Sequence, residues 1–229
     1  EQNPYAIAIG AESNSSGRAS IALGASTKAS ASSSISIGFN SNSSASTAFA
    51  MGYESKASDI HTISIGDAAN STKQTSFALG YHSATTGKHS VAIGDQANAT
   101  GLTSFSLGYH TNANNDHSCA LGDQAIATGT GSLSIGYKSV ATGKNSVAIG
   151  IESNASHENS IAIGPNSITL DDNQICLGNT DSIITIPGDL QIKINDNLVS
   201  LIAKDATSDP TADGDFVGQF SYTDTYARI

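Results

Sequence analysis

The sequence is poor in the residues that fill ordinary protein cores. Tryptophan is absent, methionine occurs once, aromatic residues make up 6% of the 229 positions and hydrophobic residues 38%, most of the latter Ala and Ile. So small an apolar supply excludes a wide globular core. It leaves two alternatives, namely disorder or a thin core built by very regular placement of the apolar residues.

Positive charge is also scarce. Ten Lys and Arg stand against 20 Asp and Glu, which gives a net charge of −10. A phosphate backbone or an anionic membrane surface would be repelled, so neither nucleic acid nor membrane is expected as a partner. No apolar run approaches the length of a membrane span, and no signal peptide is recognised. Because the chain begins at Glu1 without Met, we interpret it as a fragment or a processed product.

Glycine recurs at a fixed spacing along most of the sequence. Thirteen glycines, from Gly10 to Gly178, follow one another at intervals of 14 residues without a slip. Before each stands an apolar–small–apolar triplet such as that at residues 77–79, usually preceded by Ser. This alternation with a period of two predicts a short strand with one face buried. The glycine that ends the triplet predicts a tight turn with positive φ.

A second half-repeat completes each coil. Small residues stand three and five positions after each glycine, as at Ser83 and Thr85, which predicts a second short strand with a flat inward side. Two positions later come residues that tolerate a left-handed backbone, which predicts a second turn at Gly17, Gly87, Gly101, Asn115, Gly129, Gly143 and Asp171. Parallel stacking of such coils at ~4.8 Å predicts an all-β parallel β-solenoid roughly 60 Å long.

The two apolar residues of each triplet are expected in the interior. A weaker 28-residue period alternates large with smaller residues, as where Phe77 is followed by Val91 and Phe105 by Cys119. A large side chain stacked on a smaller one in the next coil lets neighbouring layers interdigitate. This predicts a narrow core with two sizeable apolar side chains per coil. So thin a roll, with Ala- and Ser-rich faces, is expected to associate with other copies.

The repeat unit is similar to that of a known family. Ser-Val-Ala-Ile-Gly occurs at residues 90–94 and 146–150, and the first copy is followed by Ala97, Ala99 and Gly101. These units resemble the head repeats of trimeric autotransporter adhesins, over the stretch from Tyr5 to about Gly178. The resemblance implies a left-handed parallel β-roll, three of which pack into a homotrimer. It also implies attachment to host matrix or other surfaces without catalysis.

After Gly178 the sequence departs from that family. Adhesin heads usually run into a neck and a coiled-coil stalk, whereas no sustained heptad is present here. Residues 176–180, 183–190 and 214–222 are instead similar to fibre proteins of phages and algal viruses. We therefore predict a solenoid at 1–178, a transition that closes the trimer at 179–203, a linker at 204–215 and the start of a further β segment at 216–229.

No catalytic constellation is present, so no enzyme activity and no cofactor are expected. The Gly-x-Ser-x-Gly pattern of a nucleophile elbow is missing. The single pair of adjacent carboxylates, Asp171 and Asp172, is interpreted as a turn rather than as a glycosidase or cation site. Acyltransferase solenoids need coils of a multiple of six residues, which a period of 14 excludes.

Other polar residues recur at fixed positions of the coil. His61, His89 and His117 could meet symmetry mates around a metal, but Asn fills the same position in later coils, which favours turn residues. Cys119 and Cys176 lie four coils apart, ~19 Å at strand spacing, which is too far for a disulfide. Five Asn-x-Ser/Thr sequons are interpreted as a stacked asparagine ladder rather than as glycosylation sites, with asparagines Asn14, Asn42, Asn70, Asn98 and Asn154.

The best candidate for binding is a row of tyrosines with polar neighbours in alternate coils. We call it the tyrosine row, and its pairs are Tyr81-His82, Tyr109-His110 and Tyr137-Lys138. Aromatic rings beside hydrogen-bonding groups suit sugar or protein ligands. The alternative, which we slightly favour, is that these tyrosines pack between subunits of a trimer.

These observations favour a non-enzymatic, extracellular attachment fibre, with a host protein or glycan as ligand. The sequence favours part of a viral fibre, and the alternative is the head of a bacterial trimeric autotransporter adhesin. An ice-binding solenoid would need a regular Thr row, whereas Ser83, Ala97, Thr111, Ala125 and Ser139 are mixed. A tailspike-like glycan hydrolase would need clustered carboxylates, which are not found.

Overall fold

The computed structural model describes residues 5–184, and the predictions for 185–229 lie outside the described residues. The described part is all β, and it contains no helix that could cross a bilayer. Its strands are β1 (Ile7–Ile9), β2 (Asn14–Ser15), β3 (Ile21–Leu23), β4 (Lys28–Ala29), β5 (Ile35–Ile37), β6 (Asn42–Ser43), β7 (Phe49–Met51), β8 (Lys56–Ala57), β9 (Ile63–Ile65), β10 (Asn70–Ser71), β11 (Phe77–Leu79), β12 (Ala84–Thr85), β13 (Val91–Ile93), β14 (Asn98–Ala99), β15 (Phe105–Leu107), β16 (Asn112–Ala113), β17 (Cys119–Leu121), β18 (Ile126–Ala127), β19 (Leu133–Ile135), β20 (Val140–Ala141), β21 (Val147–Ile149), β22 (Asn154–Ala155), β23 (Ile161–Ile163) and β24 (Ile175–Leu177).

The strands form two parallel sheets that run the length of the solenoid. The thirteen three-residue strands, from β1 to β24, make one sheet, and the eleven two-residue strands make the other. Every pairing joins residues 14 apart, for example Phe77 with Val91 and Ala78 with Ala92. The predicted β-solenoid of 14-residue coils is thereby confirmed.

The interior is filled by small side chains. The prediction that two sizeable apolar side chains per coil fill the core is therefore wrong. The middle residue of each long strand from β3 to β23 is a buried Ala or Ser, and so are most residues facing it from the other sheet. Among the described residues, the largest fully buried side chains are threonines, such as Thr85 and Thr111. Two turns in 14 residues bring the sheets too close for larger groups, so the first and third residues of each triplet point outward.

The small residues of the second strand do face inward, as predicted. Ser83, Thr85, Ala97 and Ala99 have no exposed surface. Because this row lies inside the roll, it cannot present a face to water or ice. Its hydroxyls are used internally, as where Ser83 Oγ donates to the carbonyl of Gly80 at 3.1 Å.

The repeat glycines make the predicted turns. From Gly10 to Gly164 their φ angles lie between 119° and 136°, a region that side chains rarely adopt. A Cβ on Gly94 would also lie 2.8 Å from the carbonyl carbon of Gly108 in the next coil. Position and conformation therefore both require glycine at this point of the coil.

The second turn differs from the prediction. Gly87 and the equivalent residues do not have positive φ. Glycine occurs there because a Cβ on Gly87 would overlap the carbonyl oxygen of Gly101 in the next coil. The left-handed residues stand two and nine positions after each repeat glycine, for example His82 with φ 49° and His89 with φ 60°.

Each coil consists of two similar halves of seven residues. In both halves a Gly or its equivalent is followed two positions later by a left-handed residue, and then by Ser, Thr or Ala. The serine hydroxyl donates back across the turn, from Ser90 Oγ to the Gly87 carbonyl at 2.6 Å and from Ser104 Oγ to the Gly101 carbonyl at 2.8 Å. This bond gives a reason for the Ser that usually precedes the triplet, although the hydroxyls of Ser76, Ser132 and Ser146 do not make it.

Candidate functional site

The tyrosine row lies on one edge of the solenoid, directly after the repeat glycines. Each tyrosine is followed by a residue in the left-handed conformation, with φ 49° at His82, 52° at His110 and 53° at Lys138. The backbone N–H of these residues donates to the preceding coil, for example from His82 to the Asp67 carbonyl at 2.8 Å. The turn is thus fixed by the same ladder as the strands, which holds the side chains in register.

Each tyrosine is paired with its own neighbour rather than with the next tyrosine. The Tyr81 and His82 rings meet edge to face with centroids 4.2 Å apart, and Tyr109 and His110 do so at 4.1 Å. Lys138 Nζ lies 5.1 Å from the centroid of the Tyr137 ring, within reach of a cation–π interaction. The tyrosines remain 43–51% exposed, so the row is accessible in a single chain.

Aspartates occupy the same position in the intervening coils. Asp67 and Asp123 each accept a hydrogen bond from the backbone N–H of the tyrosine one coil earlier, Tyr53 and Tyr109, at 3.4 Å. The contact gives a structural reason for the 28-residue period at two of the three aspartates, since the Asp95 Oδ1 has no hydrogen-bond partner within the described part of the chain. Two coils before the tyrosine row, the Glu54 carboxylate raises the pKa of Tyr53 above its ordinary value, chiefly through charge repulsion of the phenolate.

One part of the row opens into a shallow groove of about 540 Å³. It brings together Tyr109, His110 and Lys138 of the predicted site, whereas Tyr81, His82 and Tyr137 do not line it. Sequence reasoning missed the other lining residues, which are Asn112, Gln124, Ile126 and Val140. The signal was present in the 14-residue spacing, since Gln124 occupies the same turn position as His110 and Lys138.

The groove contains polar groups without partners. Over residues 5–184, the one salt bridge joins Lys144 Nζ to Glu158 Oε1 at 3.5 Å on the other edge of the coil, so Lys138 has no carboxylate partner. The side-chain amide of Gln124 also makes no hydrogen bond among residues 5–184. The side chain of Asn112 accepts one from Asn98 at 3.3 Å. The Lys138 ammonium, which contacts only the Tyr137 ring among the described residues, and the Gln124 side-chain amide therefore keep hydrogen-bond donors for a ligand.

A second surface of note is apolar. We use the term apolar face for the outward side of the 13-stranded sheet, which presents the first and third residue of every triplet. Leu107 and Ile63 leave 41% and 36% of their surface exposed, and Cys119, predicted in the core, lies half-buried on this face. Burial raises the pKa of the Cys119 thiol, which disfavours the thiolate.

The remaining candidates are structural. His61, His89 and His117 are turn residues with φ of 58–60°, as predicted, and the described residues contain no cluster of three or more His, Cys, Asp or Glu that could hold a metal. Both cysteines are free, as predicted. The asparagine ladder forms only in part. Among the sequon residues, Asn98 donates a hydrogen bond to Asn112. Asn14, Asn42 and Asn70 are not stacked on one another, because Lys28 and Lys56 occupy the coils between them.

Comparisons with known proteins give one family. The model of the YadA head domain repeat (2 copies) matches nine overlapping stretches within residues 3–83, 86–139 and 141–167, which is more than half of the chain. Each match spans two coils, the same unit as the 28-residue period. Among solved structures, the collagen-binding domain of Yersinia adhesin YadA is similar at 22% identity and a TM-score of 0.35, over 86% of this chain and 92% of that one. No curated protein matches.

Proposed function

Because the chain belongs to the YadA head-repeat family, we propose that it is the head segment of a bacterial trimeric autotransporter adhesin. It would act outside the cell as a non-enzymatic attachment surface for host matrix or cell-surface molecules. The observation that carries this proposal is the apolar face, because it supplies the surface through which identical chains can assemble.

The apolar face is too large to remain in water. Thirteen strands contribute two outward apolar side chains each, along a length of ~60 Å. The exposed area is on the order of 1,000 Å², above the few hundred Å² that monomers usually leave uncovered. Burying it would contribute about 25 kcal/mol per chain at most, more than the roughly 4–15 kcal/mol that association costs. We propose the homotrimer that the family resemblance implies as the form that covers it.

This assembly leaves the other surfaces for attachment. The outward side of the 11-stranded sheet carries polar residues such as Asn98 and Thr100, and the groove at Tyr109 opens on that side. Tyr109 of the tyrosine row would then face a ligand at the groove, rather than pack between subunits.

The comparisons favour the bacterial alternative over the viral fibre that the sequence first suggested. The family match covers the repeats, while the similarity to viral fibres involved residues 176–180, 183–190 and 214–222. Most of those residues lie outside the described range, and no comparison indicates a viral protein. We therefore propose the adhesin head alone.

The proposal is tested by breaking the apolar face without altering the roll. Leu107→Glu places a charge on the apolar face, whereas Thr86→Glu places the same charge on the polar sheet as a matched control. We expect sedimentation to show a trimer for the wild type and Thr86→Glu, and dissociation for Leu107→Glu with unchanged far-UV circular dichroism. Attachment to host cells should fall with dissociation. A wild-type protein that sediments as a monomer at micromolar concentration would contradict the proposal.

A further inference from the structure

The groove at Tyr109 has a position and a construction that suit a defined class of ligand. Ile126 and Val140, half-buried on the outward side of the 11-stranded sheet, give it apolar surface, and the exposed Tyr109 lies on the edge of the coil. This side is opposite the apolar face. The groove therefore stays open when the apolar face is covered by other copies of the chain.

Three side chains form a row of polar groups along the groove. His110, Gln124 and Lys138 occupy the same left-handed turn position in successive coils, so they follow one another at ~4.8 Å. Their backbone N–H groups are held by the preceding coil, at 2.9, 2.7 and 2.9 Å from the carbonyls of Asp95, Tyr109 and Asp123, respectively. The backbone of these three residues is thus fixed before a ligand arrives, which lowers the cost of binding.

The charged side chain that lines the groove is a cation. It is Lys138, which forms no salt bridge with a carboxylate among residues 5–184. The nearby Asp123 carboxylate is turned towards the Tyr109 N–H. The unbonded Gln124 amide and the His110 ring stand beside Lys138 as further hydrogen-bonding groups.

The backbone of the groove is closed to a peptide that would add as a strand. The strands beneath it, β16, β18 and β20, each pair with a neighbour on both sides, so no free strand edge is present. What remains is an aromatic ring, two aliphatic side chains and a row of polar groups. This combination matches the amphipathic faces of a sugar better than it matches an extended chain.

We propose that the groove binds a glycan that carries a carboxylate, either a sialic acid or a uronic acid. Lys138 and Gln124 would hold the carboxylate, His110 the hydroxyls, and Tyr109 with Ile126 the apolar side of the ring. This inference rests on the proposed adhesin function, because it names the ligand class of the attachment surface. Three copies in a trimer would raise a modest affinity by avidity.

The test uses the purified protein with three defined sugars. Binding of 3′-sialyllactose, a hyaluronan tetrasaccharide and neutral lactose is measured by saturation-transfer NMR and calorimetry. We expect one of the two carboxylated sugars to bind and lactose to fail, which also separates the two sources of the carboxylate. Equal binding of lactose, or stronger binding of a poly-glutamate peptide, would overturn the proposal.

Matched variants locate the site. Lys138→Gln should lower affinity roughly tenfold, the loss expected for one charge-assisted hydrogen bond. Gln124→Glu should abolish binding by repelling the carboxylate. Both replacements are already found at this turn position, as Gln96 and Glu152 with φ 55° and 53°, so neither should disturb the fold. Lys88→Gln, on the other edge, should change nothing. Binding that survives both groove variants would refute the site.

The outcome is separable from that of the adhesin proposal. Attachment to host cells and sedimentation are measured on the same preparations. If the protein is a trimer that attaches to cells but binds neither carboxylated sugar, the inference fails while the adhesin proposal stands. If the sugar binds a protein that sediments as a monomer, the adhesin assembly fails while the groove proposal stands.

Discussion

The size limit of the interior leads to a quantitative prediction. Ala92, the middle residue of β13, has no exposed surface and packs against Ala97 and Ala99 of the opposite sheet. Ala78 and Ser106 are its partners in the neighbouring coils. Ala92→Val adds two methyl groups at a strand position that holds only Ala or Ser from β3 to β23, so it must push the sheets apart.

The same change on the outer side of the other sheet provides the control. Ala84 lies half-buried on the outward side of β12, where later coils have Ile126 and Val140 at the equivalent position. Ala84→Val should therefore change the free energy of unfolding by no more than about 0.5 kcal/mol. Ala92→Val should cost about 1–3 kcal/mol, as overpacking of a tight core does.

Thermal unfolding followed by far-UV circular dichroism distinguishes the two variants. At roughly 2–4 °C per kcal/mol for a domain of this size, Ala92→Val should lower Tm by about 2–12 °C relative to Ala84→Val. If the large triplet residues filled the interior instead, Ala92 would point outward and accept valine. Equal melting of the two variants would therefore refute the inward placement of the small residues.

Three further predictions concern the turns, the apolar face and the tyrosine row. Gly94→Val should destabilise far more than Ser83→Ala in a thermal melt, because valine is strained at positive φ and would overlap the next coil; equal Tm values would contradict the turn assignment. Cys119 should react slowly with iodoacetamide at pH 8, because its raised pKa leaves little thiolate and assembly covers it, and unfolding in denaturant should restore the rate. Replacing the three tyrosines of the row with serine should lower attachment to host cells while leaving the trimer intact in sedimentation; dissociation would instead show that the row packs between subunits.

The spacing of glycine was enough to predict the coil. A glycine every 14 residues gave the length of the coil, the parallel register and the positive-φ turn, because each of these follows from the repeat itself. The inward side of the second strand followed in the same way, since its residues are uniformly small. Local pattern determines these features, so no knowledge of the packing was needed.

The direction in which the triplet faces could not be read from its period. An alternation of two shows that neighbours lie on opposite sides of a strand, but it does not show which side is inside. Hydrophobicity suggested that Phe77 and Leu79 point inward, whereas the closeness of the sheets requires Ala78 there. The informative signal was size: the middle position never exceeds Ser until Cys176, while the outer positions, apart from Cys119, range from Val to Phe.

The second turn was misplaced for a related reason. Gly87 predicts a left-handed backbone from the sequence, whereas the structure requires glycine there because of the approach of the next coil. A left-handed backbone and a close approach of the next coil both require glycine. The sequence alone therefore does not distinguish them, whereas the structure does. The seven-residue half-repeat was the clue, because it aligns His89 with His82 as turn residues.

Small interior residues also explain how one scaffold can serve attachment. Ala, Ser and Thr set the separation of the sheets. The size and polarity of the outward side chains are therefore not constrained by packing in the core. The residue after the repeat glycine is Ala25, Phe39, Tyr53, Asp67 or Pro165 in different coils, with little change in the φ of the glycine before it. Side chains at this edge can therefore be exchanged without altering the coil, so the ligand preference of such a surface can change while the roll and its assembly face remain the same.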